Sequence, residues 1–261
     1  MAIIVVLALG ARQVDRSSNG PMTPRILLVA AMALALSGAA FAAEDSRLQT
    51  EMDGLSKGWA HVNYEIKDMH AEVAEAQRLE TQAAALARQY PDRAEPLAWQ
   101  ALALLCEADA RHDLKSLELS RSAKRLLERA ARIDPNAIGP GSIYANLGTL
   151  YAQLPGFPLS FGDPDKARVY LEKALAANPN GLDANYFYAD YLARQGRREE
   201  AVQALERALD APSRPGRELA DHGRKWEAEQ LLEKIRRKAK IGDGRTEVAT
   251  GVAPKPARRG N

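Results

Sequence analysis

The sequence predicts an all-α solenoid of stacked antiparallel helix pairs, and three observations predict it. A short helical segment recurs as Leu127-Glu128-Arg129-Ala130, Leu171-Glu172-Lys173-Ala174 and Leu205-Glu206-Arg207-Ala208. Each copy is followed within a few residues by a proline, Pro135, Pro179 or Pro212, and proline ends a helix because it lacks the amide hydrogen and clashes with the preceding turn. The third observation is composition: 46% of residues are hydrophobic, yet only four are Phe and three Trp. A chain rich in Ala, Leu, Glu and Arg suits closely stacked helices. One helix pair cannot bury its own apolar side, so each must lie against the next.

From the N-terminus, the elements follow in order. Residues 1–21 carry an apolar patch, Ala2 to Leu9, ahead of a better start at Met22, and are expected to be an over-extended start outside the fold. Residues 22–42 have the build of a cleavable secretory signal. Arg25 is its cationic end, Ile26 to Leu36 its apolar run, and Ala40-Phe41-Ala42 the small residues that a signal peptidase needs, with cleavage expected after Ala42. The apolar run is eleven residues long, against the roughly 20 of a spanning helix, so no stable membrane span is expected after cleavage. No cysteine lies beside the cleavage site to take a lipid. The expected product is a soluble periplasmic protein.

The whole chain has a net charge of +2. Removing Arg12, Arg16, Arg25 and Asp15 with the leader leaves the remainder balanced, and what excess base it has sits in the C-terminal tail. The basic pI of the whole chain therefore says nothing about nucleic acid, and no nucleic-acid partner is expected. Cys106 is the only cysteine, so no intrachain disulfide forms and stability must come from packing.

Residues 43–240 are the predicted helical domain. Leu48 to Tyr90 reads as two helices with Trp59, Leu79, Ala83 and Leu86 turned to the core. A second unit places Leu97, Ala101 and Leu104 in its first helix and Ala123, Leu127 and Ala130 in its second. The third has Tyr144, Leu147, Gly148 and Tyr151, then Ala167, Leu171, Ala174 and Pro179. The fourth has Tyr188, Ala189 and Leu192, a turn at Gly196, then Ala201, Leu205 and Ala208. Pro91, Pro135, Pro179 and Pro212 are spaced by 44, 44 and 33 residues, and Ala167 and Ala201 are 34 apart. A period near 34 is that of a tetratricopeptide repeat, and the longer intervals add about ten residues to it. Gly148 and Ala167 are small because the two helices of one unit approach most closely there. Residues 217–239, with Leu232 and Ile235, form a capping helix, giving nine to ten helices in all. Residues 241–261 are expected to be a disordered basic tail.

The added residues of the third unit fall between its helices, as Leu154-Pro155-Gly156-Phe157-Pro158-Leu159-Ser160-Phe161-Gly162-Asp163. Together with Leu147-Gly148-Thr149-Leu150-Tyr151 and Asn185-Tyr186-Phe187-Tyr188, they make the stretch from Trp99 to Leu232 resemble the periplasmic T components of TRAP-type transporters and their standalone relatives. The resemblance implies a stacked helical fold, association with a solute-binding protein, and a channel for an apolar ligand.

Two candidate sites emerge. In the loop, exposed Phe157 and Phe161 forgo roughly 1.5–3 kcal/mol each of burial; they either fold back onto the helices or meet a partner. Asp163 before Pro164 fixes the loop's end as a helix start. On the fourth unit, Tyr186, Asp190 and Arg194 recur every fourth residue and form one stripe, either a recognition surface or a solvated face with a local ion pair. Catalytic and metal readings are weaker. Glu107, Asp109, His112 and Asp113 sit in an inserted polar segment without the paired-histidine spacing of zinc sites. His61, His70 and His222 stand alone. Cys106 reads as a small core residue. No phosphate loop, serine elbow or acid pair is present in the sequence. No cofactor, metal or enzymatic role is expected: the chain reads as a scaffold that holds a protein, with carriage of a small apolar ligand as the alternative.

Overall fold

The computed structural model describes the backbone of residues 24–111 and 113–250, and the side-chain surroundings of 43–111 and 113–238. The expected over-extended start, residues 251–261 of the expected tail, the side chains of the leader and His112 lie outside the described residues. Two units divide the chain, Met1–Gln49 and Thr50–Asn261. The first contains, among its described residues, the N-terminal part of helix α1 (Pro24–Tyr64).

The second unit holds the repeats. After the end of α1 come α2 (Met69–Gln89), α3 (Glu95–Arg111), α4 (Leu114–Ile133), α5 (Ser142–Gln153), α6 (Pro164–Ala177), α7 (Leu182–Arg194), α8 (Arg198–Leu209) and α9 (Glu218–Thr250). Among the described residues the chain is all helix and turn, with no strand. The helices pack as sequential antiparallel neighbours, α2 on α3, α3 on α4, α5 on α6 and α7 on α8, with α9 against α7 and α8.

Caps set the boundaries. The stretch from Leu48 to Tyr90 breaks where Asp68 accepts the Ala71 amide at 2.8 Å and starts α2. Asp113 accepts the Lys115 and Ser116 amides while Ser116 Oγ accepts the Asp113 amide, a reciprocal box that starts α4. Asp163 accepts the amides of Asp165 and Lys166, each at 3.1 Å, ahead of Pro164. Gly141 sits at φ +74° with its Cα face on α6, where a Cβ would lie 2.5 Å from the Ala174 carbonyl oxygen. Only glycine fits both the angle and the space.

Three boundaries differ from the sequence reading. Glu107 and Asp109 are not in an inserted polar segment: apolar Leu102, Leu105 and Cys106 carry α3 through them to Arg111. The second unit's extra length therefore lies in long helices, of 17 and 20 residues, rather than in a loop. The closing helix runs on to Thr250, past residue 240. No proline intervenes before Pro254, and the glycines at 242 and 244 cost only about 1 kcal/mol each.

The repeat residues build the core. Leu147, Ala167, Leu171, Ala174, Ala189, Ala201, Leu205 and Ala208 are buried, Tyr151 nearly so, and Tyr144 half-buried, while Pro179 is exposed at its turn. Gly148 lets α5 and α6 close, since a Cβ would come within 2.6 Å of Leu171 Cγ. Glycine is needed a second time at Gly223 in α9, where a Cβ would overlap the Tyr64 ring at the end of α1. Within this unit, the last helix thus meets the first.

Candidate ligand cavity

Helices of the second unit line a half-open cavity of about 410 Å³. Its apolar wall comes from Trp59 of α1, Leu102 and Leu105 of α3, Leu150 of α5, and Tyr186 and Phe187 of α7. Polar groups punctuate it, including Asn63, Ser116, Ser120, Asn146, Thr149 and Gln153. A smaller recess of about 30 Å³ shares Trp59, Leu102, Asn146, Phe187 and Arg224 with it and adds Trp99, Asp183 and Arg217. Asp109, Arg224 and Glu227 add charge to the lining, so the wall is about equally polar and apolar, and the volume falls within the range of small-molecule sites, about 300 to 1,000 Å³.

A network of buried charges forms one end. Arg224, 8% exposed, donates to Asp183 at 3.1 Å and to Glu227 at 2.5 Å. Its guanidinium lies over the rings of Phe187 at 4.5 Å and Tyr186 at 4.8 Å, a cation–π arrangement strengthened by desolvation. Arg214 donates to Asp183 at 2.7 Å and grips Asp221 through Nε at 2.8 Å and Nη2 at 2.5 Å. Asp183 thus serves two arginines. Burial alone would raise its carboxyl, but Arg224 and Arg214 hold it below the usual carboxylate value. Burial pushes the Tyr186 phenol up to about 12 and raises that of Tyr64 as well.

Arg217 behaves differently. Its guanidinium lies over the Trp99 ring at 5.9 Å, and its Nε is buried without a hydrogen-bond partner. Burial, then the neighbouring Arg214, depresses its pKa below the ordinary arginine value.

The sequence candidates divide among several places. Tyr186 lines the cavity. One turn on, Asp190 accepts from Arg194 at 2.8 Å and from Gln153 of α5 at 3.2 Å, so the rest of the stripe is an ion pair beside the cavity rim. Phe161 folds back: it meets Tyr151 edge-on at 5.5 Å, and Lys124 sits over it at 5.4 Å. Phe157 points away, 94% exposed, beside Leu159 at 66%. The loop between them closes on itself, the Gly162 amide donating to Pro155 and the Asp163 amide to Tyr151, both at 2.9 Å. Asp163 is occupied as a helix cap.

Glu107 is buried and paired with Arg111 at 2.6 Å and Gln77 at 2.9 Å, and Asp113 caps α4. His61 is not alone, as its ring meets Glu65 at 2.6 Å on an exposed face. Cys106 is buried beside the cavity, takes a contact from Asn63 Nδ2 at 3.1 Å, and has its thiol pushed up to about 12 by burial. Sequence reasoning missed Arg214, Arg217, Arg224 and Asp183. The sequence carries one trace of them, since Gly223-Arg224 echoes Gly196-Arg197, and that echo alone gives no sign of a buried cation.

The backbone is similar to two solved structures of helical-repeat proteins. One is a thermophilic TPR protein in Thermus thermophilus, at 18% identity and a TM-score of 0.46, spanning 76% of this chain and 96% of that one. The other is yeast Tom70, at 21% identity and a TM-score of 0.42, spanning 62% of this chain and 30% of that one. No curated protein matches. The TRAP transporter T-component family matches residues 52–237, from the last turns of α1 through the middle of α9, and so takes in every helix that lines the cavity. This chain belongs to the TRAP transporter T-component family.

Proposed function

We propose that the chain is a non-catalytic binding component that encloses a small ligand in the 410 Å³ cavity, on behalf of a transporter and outside the cytoplasm. The cavity carries the reading. Its wall joins Trp59 of α1 to residues of α3, α4, α5 and α7 and to Arg224 of α9, so the site draws on residues far apart in the chain. A wall in which aromatic and aliphatic side chains alternate with hydrogen-bonding and charged ones offers a ligand both apolar contact and polar anchor points. This reverses the order drawn from sequence alone, where protein scaffolding stood first. Export is supported by Arg25, the Ile26–Leu36 run and the Ala40-Phe41-Ala42 site. Among the described residues no helix is long and apolar enough to cross a membrane.

Native mass spectrometry of freshly purified protein tests carriage. A bound small molecule is expected, lost when Thr149→Trp fills the cavity. Its absence, together with failure to take up any hydrophobic probe, would overturn the proposal.

The exposed pair Phe157 and Leu159 favours a second, compatible reading, a contact for a protein partner such as a solute-binding protein. Affinity capture from periplasmic extract with wild type and Phe157→Asp checks it. The partner is expected to be lost in the variant, and equal recovery from both sinks this reading.

A further inference from the structure

Three arginines, Arg214, Arg217 and Arg224, meet three carboxylates, Asp183, Asp221 and Glu227, at the end of the cavity. The pairing is uneven. Asp221 and one oxygen of Asp183 go to Arg214, while the other oxygen of Asp183 and Glu227 go to Arg224. Arg217 is left over: among the described residues no carboxylate pairs with it, and its Nε is buried without a hydrogen-bond partner. Arg217 as a whole is half-buried, but a buried N–H without an acceptor is unfavourable, and such orphans are rare in folded proteins. Its nearest company is the face of Trp99, which stabilises a cation but accepts no N–H bond in the ring plane.

The recess that Arg217 lines is about 30 Å³, more than the roughly 10–15 Å³ that one water needs and far smaller than the adjoining cavity, a size for a small charged group. Next to it, through the shared Trp59, Leu102 and Phe187, opens the larger cavity, on its aromatic side. Arginine's planar fork is matched to a carboxylate or another oxyanion.

We infer that the ligand of this cavity is an amphipathic organic anion, its charged group held by Arg217 in the recess and its apolar body lying against Trp59, Leu102 and Phe187. The inference rests on the carriage reading above and adds the ligand's charge and orientation. The anion supplies the acceptor that Arg217 Nε lacks, while Asp183, which lines the same recess, stays paired with Arg214 and Arg224. A neutral apolar molecule would fill the larger space and leave Arg217 unmet.

Two fluorescent probes with the same aromatic body separate these possibilities: 1-anilinonaphthalene-8-sulfonate, an anion, and N-phenyl-1-naphthylamine, which lacks the sulfonate. The whole protein is titrated with each. Wild type is expected to bind the anion at least tenfold more tightly than the neutral probe. Arg217→Gln should weaken the anion at least tenfold, leave the neutral probe unchanged, and keep the wild-type circular dichroism. Arg217→Lys should restore part of the preference for the anion. Thr149→Trp should abolish binding of both probes. If the probes bind wild type equally, or Arg217→Gln binds the anion as well as wild type does, the inference is overturned while carriage stands. If neither probe binds, or Thr149→Trp changes nothing, carriage falls and this inference with it.

Discussion

Replacing Asp183 by asparagine removes the charge shared by buried Arg224 and half-buried Arg214 while keeping the side chain's shape. Asp183 accepts from Arg214 at 2.7 Å and from Arg224 at 3.1 Å, and its side chain is only 19% exposed, so solvent screens the pair weakly. Breaking one partner of a buried pair costs about 3–5 kcal/mol. The amide oxygen of asparagine can keep one bond, which puts Asp183→Asn near the lower end, about 3 kcal/mol. For a domain of this size that is a fall in Tm of roughly 6–12 °C.

The pH dependence is a sharper check. The folded carboxyl is held below its unfolded value, so its stabilisation is complete above the unfolded value of about 3.9. It is lost as pH falls through the folded value. The difference between wild type and Asp183→Asn in urea unfolding should be full at pH 7 and narrow as the pH is taken below about 4. Equal urea midpoints at pH 7, or a deficit that stays constant into acid, would refute the reasoning.

Other outcomes follow from the packing. Gly148→Ala should destabilise by about 1–2 kcal/mol in urea unfolding, because overpacking against Leu171 outweighs the gain in helix propensity. Gly54→Ala in α1, where nothing lies within 4 Å of an added Cβ, should stabilise by about 0.5–1 kcal/mol. Cys106, with its thiol buried and pushed up to about 12, should resist a disulfide reagent at pH 8 in the native protein and react only in denaturant. Phe161→Ala should lower the thermal midpoint by several degrees, whereas Phe157→Ala should leave it unchanged.

The repeat was legible because its signals are local. Small residues in register, such as Gly148, Ala167 and Ala201, and caps such as Asp163-Pro164 show in a few consecutive residues what they do in the fold. The cavity was not legible, because its walls come from residues far apart in sequence, such as Trp59, Leu102, Asn146 and Arg224. An arginine on a helix reads as solvated until something covers it, and what covers Arg224 is supplied by α7 and by Tyr64, more than 150 residues earlier. The loop shows the same limit at shorter range. Phe157 and Phe161 look equivalent in sequence, and only the bonds that close the loop, from Gly162 to Pro155 and from Asp163 to Tyr151, decide which of them turns inward.

The seat of Tyr64 on Gly223 carries a consequence for how this protein can change over evolution. An open row of repeats tolerates gain or loss of a member, since each touches only its neighbours and ends can be re-capped. Here such a duplication or deletion would shift the terminal helices out of reach of one another and break the seat of Tyr64 on Gly223. The number of units is therefore locked, and diversity among relatives should accumulate in the residues facing the cavity and in the loop around Phe157.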